Sequence, residues 1–166
     1  MSPEKKNKMG KDPEHNLQVL LEERLKEKGV WYRFVEKPEA TVHTADAADV
    51  SGIPLKRISK NLMARTRDGR DAALIIPGDA KVDYKAAAEV LKTKSIGLVP
   101  FDKAHTLSGF PPGGTPSIGF NKRLDVVLDA ELANQDTFFC GGGSTRQLLE
   151  LKPDDVDRKS VVRERV

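Results

Sequence analysis

Apolar positions in this chain follow two alternating rhythms, a helical one and a strand-like one, so the pattern predicts helices and strands interleaved along a single fold. Leu17, Leu20, Leu21 and Leu25 mark one face of a first helix, with Asp12 as its N-cap, Pro13 at its first position and Gly29 at its end. Residues 30–35, aromatic and β-branched and stopped by Lys37-Pro38, predict a strand. Thr44 caps a short helix through Ala45, Ala47, Ala48 and Val50, closed by Gly52. Residues 58–66 and 71–77 predict a central hairpin around an Asp68-Gly69 turn. Asp83 caps another helix through Leu91, and a short strand covers 95–99. Residues 101–108 form one or two helical turns, 123–128 a strand, 130–133 a helical turn, 137–140 a strand and 147–151 the last strand. Several connections are too short for parallel crossovers. The expected fold is therefore α+β: a single domain with one mixed, curled, barrel-like sheet and helices packed around it.

Composition narrows the class. A chain of 166 residues, 38% hydrophobic and 32% charged, suits one soluble domain with a full core. The boundaries read as a flexible segment at 1–12, a domain at 13–157 and a charged tail at 158–166, the tail either disordered or a basic patch for RNA. No apolar run is long enough for a membrane span and no apolar segment follows the N-terminal cations, which predicts a cytoplasmic protein without membrane contact. The single cysteine, Cys140, reads as a half-buried strand residue rather than a nucleophile. A net charge of +3 permits contact with phosphates without demanding it.

The chemistry concentrates in three stretches. Residues 108–119, SGFPPGGTPSIG, mix prolines that fix φ with glycines that let backbone approach a ligand, the composition of a rigid wall of exposed amides. SKNLMAR at 59–65 opens the hairpin, and PGDAKVDYKAAAEVL at 77–91 carries a Gly-Asp turn into a helix. There is no GxSxG elbow, HExxH or CxxC, and His15, His43 and His105 are scattered without a metal-ligand spacing, which argues against a triad or zinc hydrolase. Nothing in the sequence asks for a metal or organic cofactor.

These three stretches, in this order, resemble the YbaK-like family, which includes the prolyl-tRNA synthetase editing domain. Its members carry patterns such as AKNL or SKTL, a Gly-Asp turn, and a loop of the type TGYPIGGVPPFG. The similarity runs from about Ala40 to about Leu151, where CGGGS resembles the family's late glycine turn. The resemblance implies a free-standing hydrolase that removes a small wrong amino acid, cysteine or alanine, from tRNA such as that for proline, with the acceptor end of aminoacyl-tRNA and prolyl-tRNA synthetase as partners. It also implies that no protein nucleophile takes part and that the substrate's own ribose hydroxyl or, for a cysteinyl ester, its thiol assists the hydrolysis. Lys60 matches the family lysine and is expected to hold the terminal phosphate or ribose. Gly113 and Gly114 match the loop glycines, whose amides would cradle the oxyanion. Thr115, Pro116 and Ser117 continue that wall, but Ser117 stands where the G-x-x-x-P pattern has proline, which bears on the shape of the amino-acid pocket. Asp79 either orders the site or caps its turn. His43 is expected to meet the terminal adenine or to lie on the surface, and Lys56 and Arg57 form with Lys60 a basic cluster that Arg65, Arg67 and Arg70 extend. The alternative is a non-catalytic module of the same fold that binds tRNA or a synthetase.

Overall fold

The computed structural model describes residues 10–156 and the backbone of a short strand at 160–161. Helix α1 (Pro13–Lys28) starts where the Asp12 side chain accepts hydrogen bonds from the amides of Glu14 and His15, and it stops at Gly29, with φ of 67°. Along the chain follow β1 (Tyr32–Glu36), α2 (Thr44–Ser51), β2 (Ser59–Thr66), β3 (Asp71–Pro77), α3 (Tyr84–Val90), β4 (Ile96–Leu98), α4 (Ala104–Ser108), β5 (Asp125–Leu128), α5 (Ala130–Ala133), β6 (Phe138–Gly141), β7 (Gln147–Leu151) and β8 (Ser160–Val161). Short 3₁₀ turns occupy Leu55–Arg57, Phe101–Lys103 and Pro153–Asp155. The expected cap of α2 moves by one residue: His43 is the N-cap, its side chain makes no capping bond, and Thr44 is the first helical residue.

The strands build two sheets rather than the one curled, barrel-like sheet expected from the sequence. β7 lies between β1 and β6 in an antiparallel sheet of three. The other sheet has the order β4-β2-β3-β5-β8, antiparallel around β2 and parallel at β3–β5 and β5–β8. Among the described residues, a single parallel bridge, Ile58 to Phe139, joins the two. The Gly/Pro loop keeps them apart. The Thr115 carbonyl accepts from the Asn61 side chain and from the Gly141 amide, both at 3.1 Å, so the loop fills the seam where β2 and β6 would otherwise pair. β8 was not foreseen, because residues 147–151 read as the last strand. Two residues in a charged stretch carry no periodicity, and only pairing with Val127 and Leu128 makes them a strand. The segment expected to be flexible at 1–12 and the tail at 158–166 otherwise lie outside the described residues, apart from 10–12.

The central hairpin is where the sequence put it. β3 is buried on both faces, as its nearly continuous apolar run requires. Ala73 and Ile75 join Met63, Val126, Leu128, Leu21 and Leu25 in the main core. Leu74 and Ile76 pack with Ala87, Ala88 and Leu91 on the opposite face, beneath α3. Gly78, just past β3, is a point of close approach: a methyl group there would lie 2.7 Å from Leu55 Cδ1 and 2.8 Å from the Ile58 carbonyl. No helix among the described residues is long and apolar enough to cross a membrane.

One feature of the larger sheet positions the site. β4 pairs with β2 only at Ala64, Arg65 and Thr66, and the Val99 amide extends the contact to the Met63 carbonyl at 2.9 Å. The first half of β2, residues 59–62, thus has no strand on that side, and a cleft runs along its open edge.

Candidate functional site

The cleft has a volume of about 670 Å³. Its floor is Ser59 to Met63 of β2. One wall is Thr41 to Ala45, at and before the start of α2, and the other is Leu98 to Phe101 with Ala104 and His105. Pro112, Gly113 and Thr115 of the Gly/Pro loop close the far end. Lys60, His43 and His105 are the ionisable side chains on its border among the described residues. Among the described residues, no carboxylate and no cysteine lines it.

Lys60 is half-buried, and its ammonium donates to the Ala80 carbonyl at 2.9 Å. An ammonium has three hydrogens, so this bond aims the side chain and leaves two for a ligand. Gly113 meets the opposite wall. Its φ is 83°, and a Cβ there would stand 2.5 Å from the Thr41 carbonyl and 2.6 Å from Val42 Cα, a position only glycine fills. The Thr41 segment it touches is itself fixed. The Thr41 amide donates to the Thr145 carbonyl at 2.9 Å, and its hydroxyl accepts from Lys37 Nζ at 2.5 Å. Lys37 is buried, and burial pushes its ammonium below the usual lysine range while the charge of Glu14 partly restores it.

The Gly/Pro loop is pinned to β2 by a closed ring of hydrogen bonds. Asn61 Nδ2 donates to the Thr115 carbonyl at 3.1 Å and to Ser59 Oγ at 3.0 Å, which uses both of its hydrogens. Ser117 Oγ donates to Asn61 Oδ1. Ser117 and Ser59 are 3.1 Å apart, and since the one Ser117 hydrogen is already committed, Ser59 must be the donor between them. The ring runs Ser59 to Ser117 to Asn61 and back to Ser59, with every donor used. The Ser117 amide adds a bond to Cys140 Sγ at 3.3 Å. Burial pushes the Cys140 thiol up to about 12, opposed weakly by that same contact with Ser117, so it is not a nucleophile at neutral pH.

The site residues expected from the sequence therefore divide. Lys60, Gly113, Thr115 and His43 meet at the cleft. Gly114 does not: it is buried, its amide donates to the Pro111 carbonyl and its carbonyl accepts from Gly143, so the pair of cradling amides expected at 113 and 114 is not available as a pair. The amides of Gly113 and Thr115 have no acceptor among the described residues, and both residues border the cleft. Pro116 and Ser117 are buried behind the wall. Asp79 is exposed in its turn, and the tight packing of that motif belongs to Gly78. Lys56 is exposed away from the cleft. Arg57 donates to the Thr137 carbonyl and hydroxyl and lies 5.1 Å over the Phe139 ring, so neither forms a cluster with Lys60 at the cleft. Arg65 pairs with Asp71, and Arg70 with Asp68 and Asp125. Ser59, Asn61 and Phe101 were not expected at the site from the sequence, and His105 was weighed there only as a metal ligand. The first two sat in a quoted motif, and their alternation on β2 around Lys60 was the available signal. Among the described residues, no group of three His, Cys, Asp or Glu side chains is arranged to hold a metal ion.

Comparison with known proteins gives this arrangement a context. Residues 36–159 match the sequence model of the aminoacyl-tRNA editing domain. The uncharacterized protein YwhH of Bacillus subtilis is 30% identical over 125 residues, 75% of this chain and 78% of that protein. EbsC of Enterococcus faecalis, whose name is that of a candidate Cys-tRNA(Pro)/Cys-tRNA(Cys) deacylase, is 24% identical over 109 residues, 66% of each protein. A proline--tRNA ligase of Fervidobacterium nodosum is 29% identical over 97 residues, which is 17% of its length. Among solved structures, hypothetical protein APE2540 superposes with a TM-score of 0.76 at 27% identity, over 82% of this chain and 90% of that one. A candidate trans-editing enzyme for prolyl-tRNA synthetase shares the fold, with a TM-score of 0.78 at 22% identity, over 95% and 99% of the two chains.

Proposed function

This chain belongs to the aminoacyl-tRNA editing domain family, and from that premise we propose that it is a free-standing hydrolase that clears a small wrong amino acid, alanine or cysteine, from tRNA, with tRNA(Pro) as the leading substrate. The observation that carries the reading is the cleft itself, bordered by a lysine with donors to spare and by two loop residues whose amides have no acceptor among the described residues, with no carboxylate or cysteine of those residues lining it. In this reading Lys60 holds the phosphate or ribose of the acceptor end, and the Gly113 and Thr115 amides receive the negative charge that develops on the ester oxygen. Water, activated by the neighbouring ribose hydroxyl, adds to the ester carbon. The bond from that carbon to the ribose oxygen breaks, the oxygen leaves with a proton, and a free amino acid and an uncharged tRNA result. A cysteinyl ester can instead be attacked by its own thiol. A carbon–sulfur bond closes a four-membered thiolactone as the bond from carbon to ribose oxygen breaks, and that oxygen leaves with the thiol's proton. Water then opens the ring to free cysteine. Geometry supplies the rate: the cleft holds the reacting groups together. The name of EbsC supports cysteine and tRNA(Pro) as substrates, and the similarity to proline--tRNA ligases supports the same tRNA.

The test is hydrolysis, without added metal, of alanyl-, cysteinyl-, seryl- and prolyl-tRNA by the purified protein and by Lys60→Ala. Rapid loss of alanyl- or cysteinyl-tRNA(Pro) by the wild type, reduced at least about tenfold in the variant, is the expected result. An alanyl ester whose terminal ribose lacks the neighbouring hydroxyl is expected to resist hydrolysis. RNA binding with no turnover of any ester would identify a non-catalytic module instead.

A further inference from the structure

Five large hydrophobic side chains are conspicuously exposed among the described residues, and three of them, Val42, Leu98 and Phe101, border the cleft. Phe101 is the most exposed, at 66%. A protein gains nothing in folding from a phenyl ring left in water, so a concentration of such groups at one opening marks a place where something else covers them. The ring is not exposed because its segment is loose. Pro100 fixes the entry to the turn, the Lys103 amide donates to the Pro100 carbonyl at 2.8 Å, and the Thr106 hydroxyl donates to the Lys103 carbonyl at 2.7 Å. Leu107 and Phe110, a few residues on, are buried in the main core and anchor the whole turn.

Four positions after Phe101, across continuous helical turns, His105 is also exposed and also borders the cleft. An aromatic ring and an imidazole thus sit on the same lip. Among the described residues, the ionisable side chains bordering the cleft are Lys60, His43 and His105, with no carboxylate; Lys103, like Asp102, is exposed next to Phe101 but outside that border. The volume of about 670 Å³ lies in the range that holds a drug-sized ligand and exceeds what a small aminoacyl group fills.

A flat aromatic surface, a hydrogen-bonding ring beside it and a lysine in a cleft without carboxylates suit one ligand chemistry: an unstacked nucleobase attached to phosphate. The geometry points to a stacking platform for the terminal base of a single-stranded RNA 3′ end, with Phe101 against the face of the base and His105 at its edge. The inference rests on the tRNA reading given above and adds a base site that the loop and the lysine do not supply. It also moves the base from His43, at the start of α2, to the opposite wall.

The test is a thermodynamic cycle. A short oligoribonucleotide with the acceptor-end sequence, labelled at its 5′ end, is titrated with wild type and Phe101→Ala, each against an intact 3′ nucleotide and an abasic one. If the platform exists, removing the base weakens binding to the wild type at least about fivefold and leaves binding to Phe101→Ala almost unchanged, because the partner of the base is already gone. Phe101→Trp retains the discrimination. Equal losses in wild type and Phe101→Ala, or no effect of Phe101→Ala at all, would overturn the proposal and leave a protein segment as the occupant of the patch. The two readings fail separately. Turnover of an aminoacyl-tRNA with a KM indifferent to Phe101 keeps the deacylase and removes the platform, whereas a Phe101-dependent base effect without turnover keeps the platform and removes the deacylase.

Discussion

Ser117 donates its hydroxyl hydrogen to Oδ1 of Asn61, a residue 56 positions earlier, and so ties the Gly/Pro loop to the strand that carries Lys60. Ser117→Ala opens the ring and leaves Asn61 Oδ1 without its donor and the Ser59 hydroxyl without its acceptor. The expected loss of stability is about 1–3 kcal/mol, the cost of unmaking a buried hydrogen bond and stranding its partners. Ser117→Pro restores the residue type of the resembling loops, yet it is expected to be worse than alanine. It deletes the same hydroxyl and also the amide that bonds Cys140 Sγ at 3.3 Å. Urea unfolding of the two variants side by side gives the ranking, and a proline variant as stable as wild type would show that the ring contributes nothing.

Gly113 and Gly69 offer a controlled comparison. Both have positive φ, 83° and 89°, so alanine is strained at either. At Gly69 a methyl group meets nothing within 4 Å, whereas at Gly113 it meets the Thr41 carbonyl at 2.5 Å. Gly69→Ala is expected to cost about 1 kcal/mol, the conformational term alone. Gly113→Ala should cost clearly more, because the contact is with backbone that Lys37 and Thr145 hold in place, and its deacylase activity should fall with it. Thermal melting of both variants separates the conformational effect from the steric one.

What could be read in the sequence follows from the range of the forces involved. The first helix, the hairpin and the capped helix after it are set by local signals, such as Asp12 beside Pro13, Asp68-Gly69 between apolar runs and Asp83 before a run of alanines, and all three stand where those signals place them. The division into two sheets was not legible, because it depends on the Thr115 carbonyl lying between Asn61 and Gly141, residues far apart in the chain. β8 depends on pairing alone. At the site, Lys60 and Gly113 could be named from motifs, but the difference between Gly114 and Thr115 is one of amide direction, fixed by the turn that closes Gly114 onto Pro111. Phe101 was invisible for another reason: a phenylalanine at a helix start reads as core until its exposure is known.

Arg57 and Lys56 are adjacent cations with opposite expectations. Arg57 donates to Thr137 and stacks on Phe139, and Thr137 in turn donates to Glu150, whose carboxyl the Thr137 and Arg33 bonds hold below the usual range against the opposing effect of burial. Arg57→Ala is expected to destabilise the fold by about 1–2 kcal/mol through lost hydrogen bonds and ring contact. Its effect on the salt dependence of RNA binding should be negligible. Lys56→Ala should leave stability unchanged, since the side chain is exposed, and any loss of RNA affinity at Lys56 would come with a shallower salt slope. Denaturant unfolding and binding titrations at two salt concentrations distinguish the pair.

Cys140 links the core to alkaline stability. Burial raises its thiol from an ordinary value near 9 to about 12 in the folded protein. Above pH 9 the unfolded chain releases this proton while the folded chain keeps it, so ionisation favours the unfolded state. The contribution is fully present below pH 9 and is lost as pH rises toward 12. The Tyr32 phenol, raised to about 12 by burial and by its bond to Glu22, acts in the same direction above its ordinary value of 10. Stability measured by urea unfolding should therefore fall between pH 9 and 10.5. Cys140→Ala should be less stable at pH 8, because it leaves a cavity in the main core, but its decline with pH should be shallower, with the part due to Tyr32 remaining. A thiol reagent at pH 8 should label the wild type only at the rate of unfolding. Rapid labelling of the native protein, or a pH dependence identical in wild type and variant, would mean that the thiol is open to solvent and that its contact with the Ser117 amide does not hold the loop.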